Sequence, residues 1–219
     1  MNGCLVDRVL IAILLTLTWC GAGCASSTDR ERTTLRVLSW NIHHGEGSDG
    51  EFDLVRIAQM IRALNVDLVA LQEVDRTTGR SGWRDQALEI ASLADMHHVY
   101  GSAMPYDRGE YGEAILSRWP IRRSENVQLP RISGSEPRAL LIAEVDTPIA
   151  GRVRFGATHL AHDAANDRLE QARIILNELN DGSLPTILAG DLNAGPDDPP
   201  LRLLLGYFAD THAENPRPP

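Results

Sequence analysis

Apolar and polar positions alternate over residues 35–42 in the manner of a strand, and Leu54, Ile57, Ala58, Ile61 and Leu64 then fall at helical spacing within residues 52–64. Residues 66–74 are almost continuously apolar and predict a buried strand. A second helix is expected over residues 85–94. Turn residues then separate short strands at 99–101, 113–117, 121–127, 139–145 and 153–159. A third long helix spans residues 163–179, with Leu169, Ala172, Ile175, Leu176 and Leu179 on its apolar side and Asp167, Arg168, Glu170 and Arg173 on the face expected to be wet. Another buried strand follows at 185–189, and residues 196–200 open a short last helix ending near Leu205.

Strands outnumber helices, the consecutive middle strands favour antiparallel pairing, and the helices flank them. The pattern predicts an α/β (α+β) fold of two packed sheets with helices outside. No internal repeat is visible. Residues 1–24 read as a signal peptide, because the apolar run over residues 9–19 is too short to span a bilayer. Residues 25–34 form a polar tether and residues 35–219 one domain. Cys24, in Gly21-Ala22-Gly23-Cys24-Ala25, resembles a lipoprotein acceptor, and cleavage after Ala25 by an ordinary signal peptidase is the alternative. Either route takes the domain to the cell envelope, as an outer-membrane or periplasmic lipoprotein, or out of the cell.

All three cysteines, Cys4, Cys20 and Cys24, lie in this leader, which excludes an internal disulfide, a thiolate nucleophile and a cysteine zinc site from the domain. The net charge of −9 disfavours nucleic acid as a partner, since such binders gain affinity from cationic side chains. A metal ion can reverse that field locally.

Four buried strands end in polar residues. The first delivers Ser39-Trp40-Asn41-Ile42-His43-His44-Gly45. The second delivers Leu71-Gln72-Glu73-Val74-Asp75-Arg76, where Glu73 is either a ligand for a hard cation or a rim partner of Arg76. The third ends at His159, able to donate to a phosphate oxygen or to serve structurally. In the fourth, Ala189-Gly190-Asp191-Leu192-Asn193, a period of two puts Asp191 and Asn193 on one side and Leu192 toward the core. An aspartate beside an amide suits a water-activating base and the group that orients the water.

These four segments in order, with Tyr111-Gly112-Glu113-Ala114-Ile115-Leu116-Ser117-Arg118 between them, resemble the endonuclease/exonuclease/phosphatase superfamily over residues 35–213. The resemblance implies a deoxyribonuclease I-like four-layer sandwich of two mixed, mostly antiparallel sheets. It implies a metal-dependent phosphodiesterase or phosphatase, with a magnesium-dependent nuclease as the alternative. Asn41 and Glu73 would hold Mg2+ or Mn2+, His159 would contact the scissile phosphate, Asp191 would deprotonate water and Asn193 would orient it. Arg138 stands where relatives place a phosphate-contacting arginine, and His43, His44 and Arg76 are candidate substrate contacts or solvated loop residues. The expected partner is a phosphate ester, with a lipid head group favoured by an anchor, and the protein is expected to be a monomer.

Two departures from the family pattern stand out. Glu113 replaces the asparagine usual after the central glycine, with consequences only if it faces the site. Relatives also continue to an aspartate-bearing strand and a Ser-Asp-His segment not found in these residues, so a shortened chain or an inactive remnant is a further expectation. Asp210-Thr211-His212 is a poor substitute, too close behind Asn193.

Overall fold

The computed structural model describes residues 34–211 in full and residues 10–16 as backbone. Residues 1–9, 17–33 and 212–219 lie outside the described residues, and with them the cysteines, the leader's cleavage region, most of the tether and His212.

Within the leader's apolar run, Leu10–Thr16 forms β1, antiparallel to β2 (Thr34–Asn41). There follow α1 (Leu54–Leu64), β3 (Leu68–Arg76), α2 (Gln86–Ala94), β4 (His97–Tyr106), β5 (Gly109–Ser117), β6 (Ile121–Gln128), β7 (Ala139–Thr147), β8 (Gly151–His159), α3 (Ala165–Leu179), β9 (Thr186–Asp191) and α4 (Pro199–Leu205). The strands make two sheets, ordered β1-β2-β3-β5-β4 and β6-β7-β8-β9.

Most neighbours are antiparallel, but β2 with β3 and β8 with β9 are parallel. A parallel return needs a crossover over the face of the sheet, and α1 and α3 supply one each. The fold therefore contains two β-α-β units with no sequence self-similarity. Their parallel pairs pack against each other across the sandwich.

Period-two alternation sorts the core into layers. Leu38, Val69, Leu71, Ala114 and Leu116 face Ile57, Ile61 and Ile90 of the α1–α2 layer. Val37, Leu68, Ala70 and Ile115 meet Leu141, Ala143, Phe155 and Ala157 between the sheets. Leu140 and Ile142 meet Ala172, Ile175, Leu179 and Leu204 of the α3–α4 layer. Helix, sheet, sheet and helix make the expected four layers.

The helix starts follow from local chemistry. Asp53 accepts from the Arg56 amide at 2.9 Å and Asp85 from the Leu88 amide at 3.0 Å, each cap contributing about 1 kcal/mol. Both helices end on left-handed residues, Asn65 and Asp95. One expectation for α3 is corrected: Asp167 is not on the wet face but fully buried, where it accepts from the Ser133 amide at 2.9 Å and the Ser135 hydroxyl at 2.6 Å. A carboxylate at the first turn of a helix can serve a neighbouring loop, and this one pins the segment leading to Arg138.

Candidate active site

The carboxyl ends of the two parallel pairs converge on one cleft of about 370 Å³. Open α/β sheets present ligand sites at these ends, because the loops leaving parallel strands can diverge there. Asn41, Glu73, His159, Asp191 and Asn193 all line it, as do His43 and Arg138.

The β8–β9 side is built from regular strands. His159 and Asp191 are register partners at the strand ends, and Asp191 Oδ2 lies 3.8 Å from His159 Nε2. Gly190 makes this approach feasible, since a Cβ there would meet the Thr158 carbonyl oxygen at 2.1 Å. Arg138 Nη1 lies 3.3 Å from His159 Nδ1, and a guanidinium can only donate, so the imidazole keeps its proton on Nε2, facing Asp191 and the cleft. Burial, and then the Arg138 charge, lower the His159 pKa to about 4. At neutral pH the ring is uncharged, and its contact with Asp191 is not an ion pair. Arg138 is itself buried, with Nη1 also donating to Glu136 at 2.6 Å and to the Tyr111 hydroxyl at 3.4 Å.

Asp191 Oδ1 accepts from the Asn193 amide at 3.1 Å. The chain has already left the strand by then, and Asn193 is left-handed at φ 45° rather than extended as a simple period of two assumes. Its side chain still reaches the cleft, fixed by donation from Nδ2 to the Leu160 carbonyl at 2.9 Å, while Leu192 packs on the α3–α4 core.

The β2–β3 side is irregular. Between its pairs Leu71 with Ala114 and Val74 with Gly112, β3 advances three residues while β5 advances two, which is a β-bulge. Strict alternation would send Glu73 to the helix side with Leu71. The bulge, with Glu73 at φ 59°, turns it into the cleft instead. Asn41 Nδ2 then lies 2.7 Å from Glu73 Oε1 and 3.4 Å from Asp191 Oδ2, while its Oδ1 accepts from the His43 amide at 3.0 Å. An amide between two carboxylates marks a position of negative potential. With the amide turned, Asn41 and Glu73 offer oxygen donors that suit a hard divalent cation, at the cost of the bond from His43. The residues present therefore fit a divalent metal.

After Ile42, both His43 and His44 are left-handed, at φ 46° and 47°. Non-glycine residues held there cost roughly 1–3 kcal/mol each and need support from their surroundings. Gln86 provides it: from the first turn of α2 it donates to the His44 carbonyl at 2.5 Å and accepts from the Asp75 amide at 2.8 Å. Burial, and then nearby Arg80, hold His44 below the usual imidazole pKa of 6.5.

Arg76, expected as a candidate substrate contact or a solvated loop residue, is not among the residues that line the cleft. It pairs with its cross-strand partner Glu110 and lies over the Tyr100 ring at 4.4 Å, so the rim pairing with Glu73 does not form either. Arg80 lines the cleft instead, held by two 2.7 Å bonds to fully buried Asp75. Met104, Tyr106 and Tyr111 also line it, carried in by the β4–β5 hairpin. The turn of that hairpin, Asp107-Arg108, is left-handed at both residues but lacks the glycine that would signal it in the sequence. Glu136 and His162 complete the lining, both in loops without a periodic signal.

Glu113 does face inward, on the same side of β5 as Tyr111. It is 1% exposed and neither carboxylate oxygen has a hydrogen-bond partner. Burial raises its pKa well above 4.5, outweighing the attraction of Arg138.

The sequence profile of the Endonuclease/Exonuclease/phosphatase family matches residues 38–218. The chain belongs to this family. Members are typically hydrolases of phosphoesters, and the family generally uses divalent metals. Among its relatives, an endonuclease/exonuclease/phosphatase from Beutenbergia cavernae DSM 12333 is 34% identical, with a TM-score of 0.66 over 81% of this chain and 54% of that one. The chain thus spans about half the length of that structure. The uncharacterized protein YbhP of Escherichia coli K12 is 28% identical over 179 residues, 74% of this chain and 68% of YbhP. The fold is shared with the mannosyl-6-phosphatase Bt3783 of Bacteroides thetaiotaomicron at 20% identity, TM-score 0.64, over 78% of this chain and 70% of that one.

Proposed function

We propose that the protein is a divalent-metal-dependent phosphoester hydrolase, a phosphodiesterase or phosphatase, acting in the cell envelope. The observation that carries the reading is the convergence of Asn41, Glu73, His159, Asp191 and Asn193 on one cleft from two separate β-α-β units.

The division of labour follows from the contacts. Asp191, about one-third exposed and at the cleft wall, accepts the proton of a water molecule attacking phosphorus. Asn193, tethered to the Leu160 carbonyl, keeps its amide oxygen and second N–H for that water or for a phosphate oxygen. His159, neutral and protonated on Nε2, donates to a non-bridging oxygen as negative charge builds up there. Arg138 acts mainly through His159 by fixing its tautomer. Asn41 and Glu73 would hold a divalent ion, Mg2+ or Mn2+, which would supply Lewis-acid stabilisation of the developing charge.

The envelope assignment rests on the apolar run of residues 9–19 and on Cys24. A lipid anchor there favours membrane-side esters such as phospholipid head groups, with a monomeric enzyme as the acting form. Labelled fatty acid incorporated by wild type and not by Cys24→Ser would support the anchor, and labelling of both would refute it.

The test of function is turnover with Mg2+ on bis-p-nitrophenyl phosphate, on sphingomyelin-like lipid and on plasmid DNA, beside Asp191→Ala. Ester hydrolysis that falls roughly 10²–10⁴-fold in the variant is expected. Preference for DNA would favour a nuclease, and no turnover on any of the three would contradict the proposal.

A further inference from the structure

Beside Glu73 stand two histidines, His43 in the cleft lining and His44 next to it in the chain. One ring nitrogen of His43, one of His44 and a carboxylate oxygen of Glu73 all lie within 4.8 Å of one another. Two ligands on opposite sides of an ion, each bonded at about 2.1 Å, are about 4.2 Å apart, so small side-chain movements suffice to bring these atoms onto a common ion.

The local backbone is arranged to keep the imidazoles there. Two successive left-handed residues reverse the chain directly after β2, and the Glu46 amide closes the turn on the His43 carbonyl at 3.0 Å. Buried Gln86 holds the His44 carbonyl. His44 has the contacts of a ligand in waiting. Its Nε2 lies 3.4 Å from the Glu46 carboxylate, while its Nδ1 is buried with no hydrogen-bond partner. Ligating histidines commonly give their second nitrogen to a carboxylate in this way, which orients the ring and leaves the other nitrogen for the ion.

We propose that His43 and His44 are nitrogen ligands of the ion held by Glu73, so that the site is a mixed nitrogen and oxygen centre that favours first-row transition ions over Mg2+. The inference rests on the proposed metal position at Glu73. Imidazole suits ions such as Fe2+, Zn2+ and Ni2+, whereas Mg2+ keeps to oxygen ligands and its own waters; Mn2+ is harder than the former but less bound to its waters than Mg2+, and is the paramagnetic probe of the site.

The test is electron spin echo spectroscopy of the full chain loaded with Mn2+, with affinities from Mn2+ titration and Mg2+ competition. The wild-type spectrum is expected to show nitrogen-14 modulation from directly bound imidazole. In His43→Asn and His44→Asn, chosen because asparagine tolerates left-handed backbone, Mn2+ affinity should fall about tenfold or more, and Mg2+ affinity less than about threefold. Tight Mn2+ binding that depends on Glu73 but shows no nitrogen modulation in the wild type would overturn the inference and leave the metal position standing. Mn2+ binding unchanged in Glu73→Gln would overturn both. The wild-type spectrum decides the first point even if a variant fails to fold.

Discussion

The two β-α-β units do the same structural job by opposite means. In β8-α3-β9 the strands stay regular to their last residues, and His159 and Asp191 emerge side by side because the register puts them there. In β2-α1-β3 the functional groups depend on irregularity, with a bulge to turn Glu73 and two left-handed histidines to fold the chain back over it. Phosphate and water chemistry needs fixed donors at a few ångströms, which a regular ladder provides. A cation needs donors from several directions, which a straight strand does not provide.

The comparison is broken most severely by removing the regularity. Gly190→Ala forces β9 away from the Thr158 carbonyl, and a loss of about 3 kcal/mol is expected in urea unfolding, with reduced turnover because Asp191 moves as well.

The same contrast explains what the sequence could reveal. The layers, the three long helices and the strand ends at Asn41, His159 and Asp191 were legible because their hydrophobic patterns run unbroken up to them. The parallel pairing of the two units was not, since it depends on crossovers rather than on any local pattern. Arg76 was read as a candidate because it follows Glu73 closely in sequence, but the bulge breaks that neighbourhood and the cleft is lined by Arg80, which Asp75 holds there. Asp167 was misplaced because a helix pattern cannot show that a loop 32 to 34 residues earlier brings Ser133 and Ser135 to it. The aromatic wall was missed because the Asp107-Arg108 turn carries no glycine.

The buried titratable groups of the interior should pull stability in opposite directions. His159 has its pKa lowered from 6.5 to about 4, so between those values the unfolded chain binds a proton that the folded chain refuses. Stability should therefore fall as pH drops from 6.5 toward 4, by up to about 3 kcal/mol, and His159→Gln should flatten that slope. Glu113 is raised instead, so its contribution is complete below 4.5 and is lost as pH rises. Glu113→Gln should gain on the wild type as pH climbs above 4.5, and denaturant midpoints measured across pH will show whether the two slopes separate.

On the irregular side, Gln86→Ala removes the bond that braces the histidine turn and leaves the Asp75 amide buried without its partner. A loss of about 1–3 kcal/mol is expected, with weaker metal binding but little change in the His159 pH slope. Arg76→Ala should have the smallest effect. Its pair with Glu110 is more than one-third exposed on both sides, so stability should change by less than about 1 kcal/mol and turnover should stay at the wild-type level. Loss of activity in Arg76→Ala would restore it as a substrate contact.

The central claim is that both units act on one phosphate. It is tested most directly by metal-supported turnover of bis-p-nitrophenyl phosphate in wild type, Glu73→Gln, Asp191→Ala and the double variant. Each single change should lower turnover about 10²-fold or more, and the double should fall little below the worse single, as residues acting on one transition state do. Wild-type turnover in either single variant would contradict the account.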